Sequence, residues 1–178
     1  MTAIPRVIND NEIIVRCTFH PFHFSRSKKK IKPEAFTPPP QRNDVSTLRL
    51  AYTNPDFCKR QGKSIVFPGN EYLGLTIFVA SMITSIIENF LDAQPFPIAI
   101  LATPLDSEHK IIEVGEIFIT DDGLPMHADI VYGFEPEVGV PLPNYVKKFA
   151  KELSKNSVTY IDPAPEEDIW KGEELVYP

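Results

Sequence analysis

The sequence is poor in cysteine, glycine and tryptophan, with two, eight and one of these residues among 178. Two cysteines cannot build the disulfide framework of a small secreted domain, so we expect Cys17 and Cys58 to be free thiols. The few glycines form no dinucleotide-binding fingerprint, and the zinc-protease and nucleophile-elbow motifs are also absent. The Gly-Lys-Ser fragment at 62–64 matches the end of a phosphate-binding loop, but Phe57 stands where that motif requires its first glycine. The common nucleotide-binding folds are therefore disfavoured.

The sequence also lacks a long hydrophobic run. Its most apolar segment has only sixteen uncharged residues, between Glu71 and Glu88, whereas a membrane-spanning helix needs roughly 20 apolar residues with basic flanks. Residues 1–11 contain no basic start that leads into an apolar run, so no secretory signal is evident, and no N-glycosylation acceptor occurs. We therefore predict a cytoplasmic protein that does not enter the membrane.

The uncharged segment dominates the fold prediction. Across residues 70–91 apolar side chains recur at intervals of three and four, from Leu75 to Leu91, and Asn70 is a suitable N-cap. This pattern predicts a helix that is buried on nearly all sides and must be covered by a sheet.

We predict a single α+β domain over residues 1–161, with a mixed, mostly antiparallel sheet packed on the buried central helix (70–91). An amphipathic surface helix is predicted at 143–156, where Val146, Phe149 and Leu153 share one face and lysines lie largely opposite. Residues 44–52 fit either a strand or a helical turn. Strands are predicted at 12–20, 65–67, 97–103, 110–120, 126–132 and 158–161, with 110–120 and 126–132 forming a hairpin.

Charge is distributed unevenly along the chain. Residues 1–63 contain twelve Lys and Arg against five Asp and Glu, and residues 64–178 contain six against nineteen. The basic half includes a proline-rich loop at 25–41, whose residues Lys28, Lys29 and Lys30 could contact nucleic acid or a partner protein. The chain ends in an acidic segment at 162–178.

The acidic segment surrounds one tryptophan with carboxylates. Trp170 lies among Glu166, Glu167, Asp168 and Glu173. Such a segment could dock an aromatic anchor into a basic groove of a protein partner, or it could fold back on the chain's own lysines. We expect it to become ordered on contact with either surface.

Two histidines and a cysteine lie close together in the first strand and its exit. Cys17, His20 and His23 are ligand types that zinc accepts, and Cys58 could complete a tetrahedron. On a strand, however, Cys17 and His20 point to opposite faces, so the chain would have to turn at Pro21 before they could converge. Zinc therefore remains an alternative to a buried Cys17 with solvent-facing histidines, and we assign no metal or cofactor.

The same histidines could act in acid–base chemistry. His127 and Asp129 stand two apart on a predicted strand and share a face, so the carboxylate could orient the imidazole. We predict a catalytic group composed of His20, His23, His127 and Asp129. Arginines can hold phosphate or carboxylate through two parallel hydrogen bonds, and the candidates for binding substrate are Arg26, Arg42 and Arg49.

Two functional hypotheses follow from these residues. The first is an intracellular enzyme that acts on a phosphorylated or otherwise anionic substrate, nucleotide or RNA-like, through histidine acid–base chemistry and arginine anion binding. The second is a non-catalytic subunit or adaptor that docks protein partners through the basic loop and the acidic tail with Trp170. The absence of a catalytic motif keeps both hypotheses open.

Overall fold

The fold is an antiparallel sheet with helices on both faces, as seen in a computed structural model that describes residues 2–92 and 97–178. In chain order its elements are β1 (Ile13–His20), β2 (Phe24–Ser25), β3 (Lys30–Ile31), β4 (Asp44–Arg49), α1 (Pro55–Ser64), β5 (Glu71–Val79), α2 (Ser81–Phe90), β6 (Ile98–Ala102), β7 (His127–Tyr132), α3 (Asn144–Lys155) and β8 (Val158–Ile161). Six strands form one sheet in the order β6-β7-β4-β1-β5-β8, and β2 with β3 forms a separate hairpin. The predicted single α+β domain with a mostly antiparallel sheet is confirmed.

The predicted central helix at 70–91 is wrong in its first half. Residues Glu71–Val79 are β5, a strand that pairs with β1 and β8, and only Ser81–Phe90 is helical. Both faces of β5 are buried, so its apolar residues run continuously instead of alternating. A short run of this kind shows no hydrophobic periodicity by which a buried strand could be distinguished from a buried helix.

Helix α1 is a second departure from the sequence-based prediction. Asn54 caps it by accepting a hydrogen bond from the backbone N–H of Phe57 at 2.9 Å, and Pro55 occupies the first turn. The strand predicted at 65–67 is wrong, because the helix continues to Ser64 and residues 65–67 form no strand. The fragment at 62–64 therefore ends a helix, whereas a phosphate-binding loop would precede one.

The predicted hairpin of 110–120 with 126–132 is also wrong. β7 is present, but it pairs with β4 and β6. Residues 103–124 form an irregular segment with isolated bridges, held partly by hydrogen bonds from the Arg6 guanidinium to the carbonyls of Ile112 and Gly115. Asp106 supports a turn in this segment, where its carboxylate accepts hydrogen bonds from the N–H groups of Glu108 and Lys110. These two N–H groups therefore bond to a side chain and not to a neighbouring strand.

The remaining element predictions hold. The surface helix appears as α3, and the strands at 12–20, 97–103, 126–132 and 158–161 appear within two residues of their predicted bounds. Residues 44–52 contain β4 followed by a short 3₁₀ turn at Leu50–Tyr52. The basic loop at 25–41 includes β3 and a 3₁₀ turn at Pro33–Phe36.

Two apolar clusters cover the two faces of the sheet. On one face α2, α3 and the 3₁₀ turn at Pro33–Phe36 pack together through residues such as Ile86, Phe149 and Phe36. On the other face Cys58 of α1 and Leu175 of the acidic tail pack on Val15 and Leu75. Among the described residues no helix is long and apolar enough to cross a bilayer.

The acidic segment at 162–178 lies against α1. The buried Lys59 ammonium is 2.7 Å from Asp162 and donates to the carbonyls of Ala164 and Ile169. The backbone N–H of Trp170 donates to Asp56, 2.7 Å away. The tail's contacts in the structure are therefore with its own domain.

Candidate functional site

A cavity of about 400 Å³ opens between α1 and the irregular segment 103–124, and we call it the His127 cavity. Its floor belongs to the three neighbouring strands β1, β4 and β7. The strand register sets Leu48 opposite His127 and Ser46 opposite Asp129, so these four side chains share one face of the sheet. The walls contain Gln61 and Ile65 on the α1 side and Leu105, His109, Ile111 and Leu124 on the other.

A hydrogen-bonded series links His127 to Asp129. His127 Nδ1 lies 2.9 Å from the backbone carbonyl oxygen of Thr103 and 3.0 Å from its Oγ1. The Thr103 hydroxyl in turn donates to Asp129 Oδ2 at 2.7 Å, and Nδ1 is 3.7 Å from the same carboxylate oxygen. Since a carbonyl oxygen only accepts, Nδ1 carries a proton, and in the neutral ring Nε2 is the nitrogen with the lone pair.

The series leaves two groups ready for proton chemistry. Nε2 of His127 makes no hydrogen bond with the described residues, and Asp129 Oδ1 is buried without a partner among them. The carboxylate lies one hydroxyl away from the imidazole, so it would stabilise the imidazolium formed when Nε2 takes a proton. The arrangement is that of an oriented general base.

Cys17 lies in the same cavity but does not offer a nucleophile. Burial raises the pKa of its thiol to about 11, although the Arg16 guanidinium opposes the rise. Its sulfur donates to the Cys58 carbonyl at 3.5 Å. Burial also raises the pKa of Cys58, so both side chains are neutral thiols near neutral pH.

Arg42 stands at the mouth of the His127 cavity. Its Nη2 is 2.5 Å from the carboxylate of Asp44, and its side chain is 55% exposed. Asp44 engages one nitrogen of the guanidinium, so further donors remain for a bound anion. Arg42 also lines a second cavity.

This second cavity, which we call the His23 cavity, has a volume of about 630 Å³ and an aromatic wall. The His23 ring lies 5.3 Å from the rings of Phe19 and Phe22 and 6.1 Å from that of Phe67. Burial, together with repulsion from Arg16 and Lys32, lowers the pKa of His23 to about 3, although a hydrogen bond to the backbone of Cys17 opposes this. His23 is therefore a neutral wall residue near neutral pH, and prolines 38–40 form the facing wall.

Arg16 contributes a cation to the His23 cavity. It donates from Nε to the carbonyl of Ala35 at 3.1 Å and from Nη1 to that of Ser46 at 2.9 Å. No carboxylate among the described residues lies within ion-pair distance of it. A guanidinium with no carboxylate at ion-pair distance can still attract an anion.

A third depression, of about 950 Å³, lies on the opposite face of the sheet, and we call it the lysine groove. It separates the β2–β3 hairpin from α3 and runs over β8. Its basic lining residues are Arg26, Lys29, Lys30, Lys151 and Lys155.

The sequence-predicted site residues are thus distributed over several places. His127, Asp129 and Arg42 meet at one cavity, and His23 lies with Arg42 at another. Arg26, Lys29 and Lys30 line the lysine groove. Lys28 is exposed on the β2–β3 turn, and His20 turns Nδ1 toward the carbonyl of Phe24 at 3.2 Å.

Arg49 and Trp170 serve local packing in the structure. Arg49 is 1% exposed and makes two hydrogen bonds of 2.8 Å to the buried carboxylate of Glu12. Further bonds join it to the carbonyls of Pro5 and Val7. The Trp170 indole donates to the Glu173 carbonyl within the tail. Arg49 therefore holds the N-terminal segment. Its three guanidinium nitrogens all make hydrogen bonds within the chain, so it is not available to bind substrate.

Thr103 and His109 are site residues that the sequence did not reveal. Thr103 follows β6, and its role depends on the β6–β7 pairing, which brings it beside His127. His109 belongs to the turn at 106–109 and reaches the cavity only because that turn folds over the sheet. Within residues 2–92 and 97–178 no group of three or more His, Cys, Asp or Glu side chains is placed to hold a metal ion.

The fold and the His127 cavity define a single-domain α+β protein with an oriented histidine on one face of an antiparallel sheet. No protein-family model, curated protein or solved structure matches the chain. Any functional assignment therefore depends on the cavities themselves.

Proposed function

We propose that the chain is an intracellular enzyme that hydrolyses or transfers phosphate esters of a nucleotide-like substrate, with His127 as general base. The observation that supports this proposal is the series from Asp129 through Thr103 to His127, which leaves the Nε2 lone pair free in a cavity. The cavity's volume of about 400 Å³ is within the usual range for small-molecule sites.

In the proposed reaction, Nε2 of His127 removes a proton from a water or alcohol whose oxygen then bonds to phosphorus. The bond from phosphorus to the leaving oxygen breaks with its electron pair. The proton taken up by His127 is returned to that oxygen, or His109 on the facing wall donates one in its place. Atoms and charge balance without a cofactor.

Arg42 supplies the proposed anion contact. It borders both the His127 cavity and the His23 cavity, so a phosphate held at Arg42 could place an attached aromatic group beside Phe22 and Phe67. Stacking on rings and pairing of phosphate with a guanidinium are the two contacts that a nucleotide offers. Thr103 acts as a positioning residue, because it reaches the substrate only through His127, and Asp129 acts on His127 through the Thr103 hydroxyl.

The test is hydrolysis of bis(para-nitrophenyl) phosphate, with para-nitrophenyl phosphate as a second probe. His127→Ala should lower kcat by roughly 100-fold or more. Arg42→Ala should mainly raise KM, with Arg60→Ala, an exposed arginine of α1, as its matched control. Thr103→Val should lower kcat and change its pH profile, whereas Thr84→Val on the exposed side of α2 should do neither.

Two results would overturn the proposal. One is turnover that persists in His127→Ala at the wild-type rate. The other is absence of turnover together with unchanged imidazole ¹⁵N resonances of His127 when phosphate or the ester is added. The second result would mean that the cavity binds no such anion.

The adaptor hypothesis gains little from the tail. Trp170 and its neighbours are held by Asp56, Lys59 and Lys63 of the same chain, so the acidic segment is already engaged. The proposal therefore does not assign partner docking to residues 162–178.

A further inference from the structure

The lysine groove is positively charged and lies at one edge of the sheet. Five cationic side chains line it and no carboxylate does. Arg26 pairs with Glu71, and Lys155 pairs with Glu152. Among the described residues Lys29, Lys30 and Lys151 have no ion-pair partner, so the groove attracts anionic groups despite the chain's net charge of −6.

β8 borders the groove as the last strand of the sheet. In the described part of the chain it pairs with β5 on one side only. The backbone N–H of Asp162 donates to the Leu73 carbonyl on β5. In an antiparallel pair, every second residue directs its N–H and C=O toward the neighbouring strand and the residues between direct theirs away. The peptide groups of Thr159 and Ile161 therefore point away from β5. The side chains of these same two residues line the groove.

β8 is short, at four residues, but it lacks two other usual protections against strand addition. Its sequence Val-Thr-Tyr-Ile contains no charged residue and no proline, the residue types that commonly block exposed edges. Ile161 is 53% exposed. The edge can therefore accept the backbone of another extended segment.

We propose that the lysine groove binds an acidic segment of a partner protein, which adds to β8 as a further antiparallel or parallel strand. Residues of the added strand opposite Thr159 and Ile161 point into the groove, since paired residues share a face. Alternate residues of a strand are about 6.7 Å apart. Lys151 and Lys155, one helical turn apart at about 6 Å, offer a matching spacing for two carboxylates.

A protein segment fits this surface better than nucleic acid does. The one aromatic residue among the groove's lining residues, Phe24, is 3% exposed and offers no ring for base stacking. The free peptide groups of Thr159 and Ile161 match a polypeptide backbone, which nucleic acid lacks. The inference is independent of catalysis at the His127 cavity, on the opposite face of the sheet.

The test measures fluorescence anisotropy of labelled peptides of about eight residues, in which Glu alternates with Val or Thr. The full chain should bind this peptide, and added NaCl should weaken the binding. N-methylation of alternate amides along one edge of the peptide should weaken it roughly tenfold or more. The same modification along the other edge should leave it nearly unchanged, because only one edge faces β8.

Protein variants provide the second arm. Lys151→Glu combined with Lys155→Glu should weaken binding roughly tenfold or more. Thr159→Pro removes one outward N–H and should have a similar effect. Circular dichroism would establish that each variant is folded. If a variant does not fold, the N-methylated peptides still test the inference, because they are measured with the unmodified protein.

Three results would overturn the inference. The first is no binding of the acidic peptide at about 1 mM. The second is equal affinity for the two N-methylated peptides, which would mean simple polyanion attraction. The third is tighter binding of single-stranded DNA than of the peptide, with the same dependence on Lys151 and Lys155, which would make this a nucleic-acid surface.

Discussion

At the scale of single residues, His23 makes the stability of the fold depend on pH. It is 2% exposed, and its Nδ1 has no hydrogen-bond partner among the described residues. Its pKa falls from 6.5 to about 3, mainly because burial disfavours the charged ring. The folded protein therefore keeps His23 neutral at pH values where the unfolded chain would protonate it.

This difference predicts an acid-sensitive free energy of unfolding. Well above pH 6.5 His23 is neutral in both the folded and the unfolded state, so it does not lower the free energy of unfolding there. As the pH falls from 6.5 toward 3, the unfolded state gains the proton first, so His23 should cost about 1.4 kcal/mol of stability per pH unit. Urea unfolding of the wild type and His23→Phe at about pH 7 and about pH 5.5 should show a shallower dependence in the variant.

His20→Phe is the control for this experiment. His20 lies in the same chain segment but is only partly buried, so its replacement should leave the contribution of His23 in place. Equal pH dependence in the wild type and His23→Phe would mean that the folded protein accepts a proton at His23.

At the scale of elements, Gly74 sets how closely β5 and β8 approach. A Cβ atom built on Gly74 would lie 2.1 Å from the backbone oxygen of Tyr160, a distance that only movement of the strand could relieve. Gly74→Ala should therefore lower the free energy of unfolding by about 3 kcal/mol. It should also speed amide exchange at Val158 and Tyr160, measured by hydrogen–deuterium exchange.

Thr159→Ala is the comparison for that substitution. It removes the 2.8 Å hydrogen bond between the hydroxyls of Thr159 and Thr76 but keeps the backbone approach, so it should cost about 1 kcal/mol. If Gly74→Ala costs no more than Thr159→Ala, close approach is not what holds β8 in register.

Elements with a clear period or a single buried face could be predicted from the sequence. α3 has its apolar residues on one stripe, and the sequence of β1 alternates apolar with polar residues from Val15 to His20, so both patterns identified the element type, although both faces of β1 are buried. β5 could not be recognised because it is buried on both faces, and its partners are distant in sequence. Asn54 and Pro55 carry a helix-start signal, but no apolar stripe follows them to indicate a helix.

The candidate site shows the same division. His127 and Asp129 were predicted to share a face because strand alternation is local, and the structure places them together. Strand pairing brings Thr103 to His127, and His109 and Arg42 reach the cavity through chain folding over long sequence distances. No local pattern encodes that arrangement, and none distinguishes the exposed Arg42 from the buried Arg49.

At the scale of the whole molecule, Lys59 fastens the tail to the domain. Its ammonium is fully buried, paired with Asp162 and bonded to two tail carbonyls. Lys59→Met should lower the free energy of unfolding by about 4 kcal/mol, because it leaves a buried carboxylate unpaired. Urea unfolding gives the loss, and limited proteolysis should show early cleavage within residues 162–178.

Lys63→Met is the matched control, one helical turn further along α1. Lys63 pairs with Asp168, whose side chain is 75% exposed, so the loss should be much smaller than in Lys59→Met. Similar losses in the two variants, or an unchanged proteolysis pattern in Lys59→Met, would show that the buried pair does not hold the tail.

The Lys59 contact also bears on the order of events during synthesis. The acceptors at Ala164 and Ile169 follow Lys59 by 105 and 110 residues. A ribosome makes the lysine first, at about 5 to 20 residues per second, so its ammonium stays in water for several seconds until the tail has been made. During that interval α1 cannot complete its packing, and the apolar face beneath it stays open to water and to any chaperone that binds such surfaces.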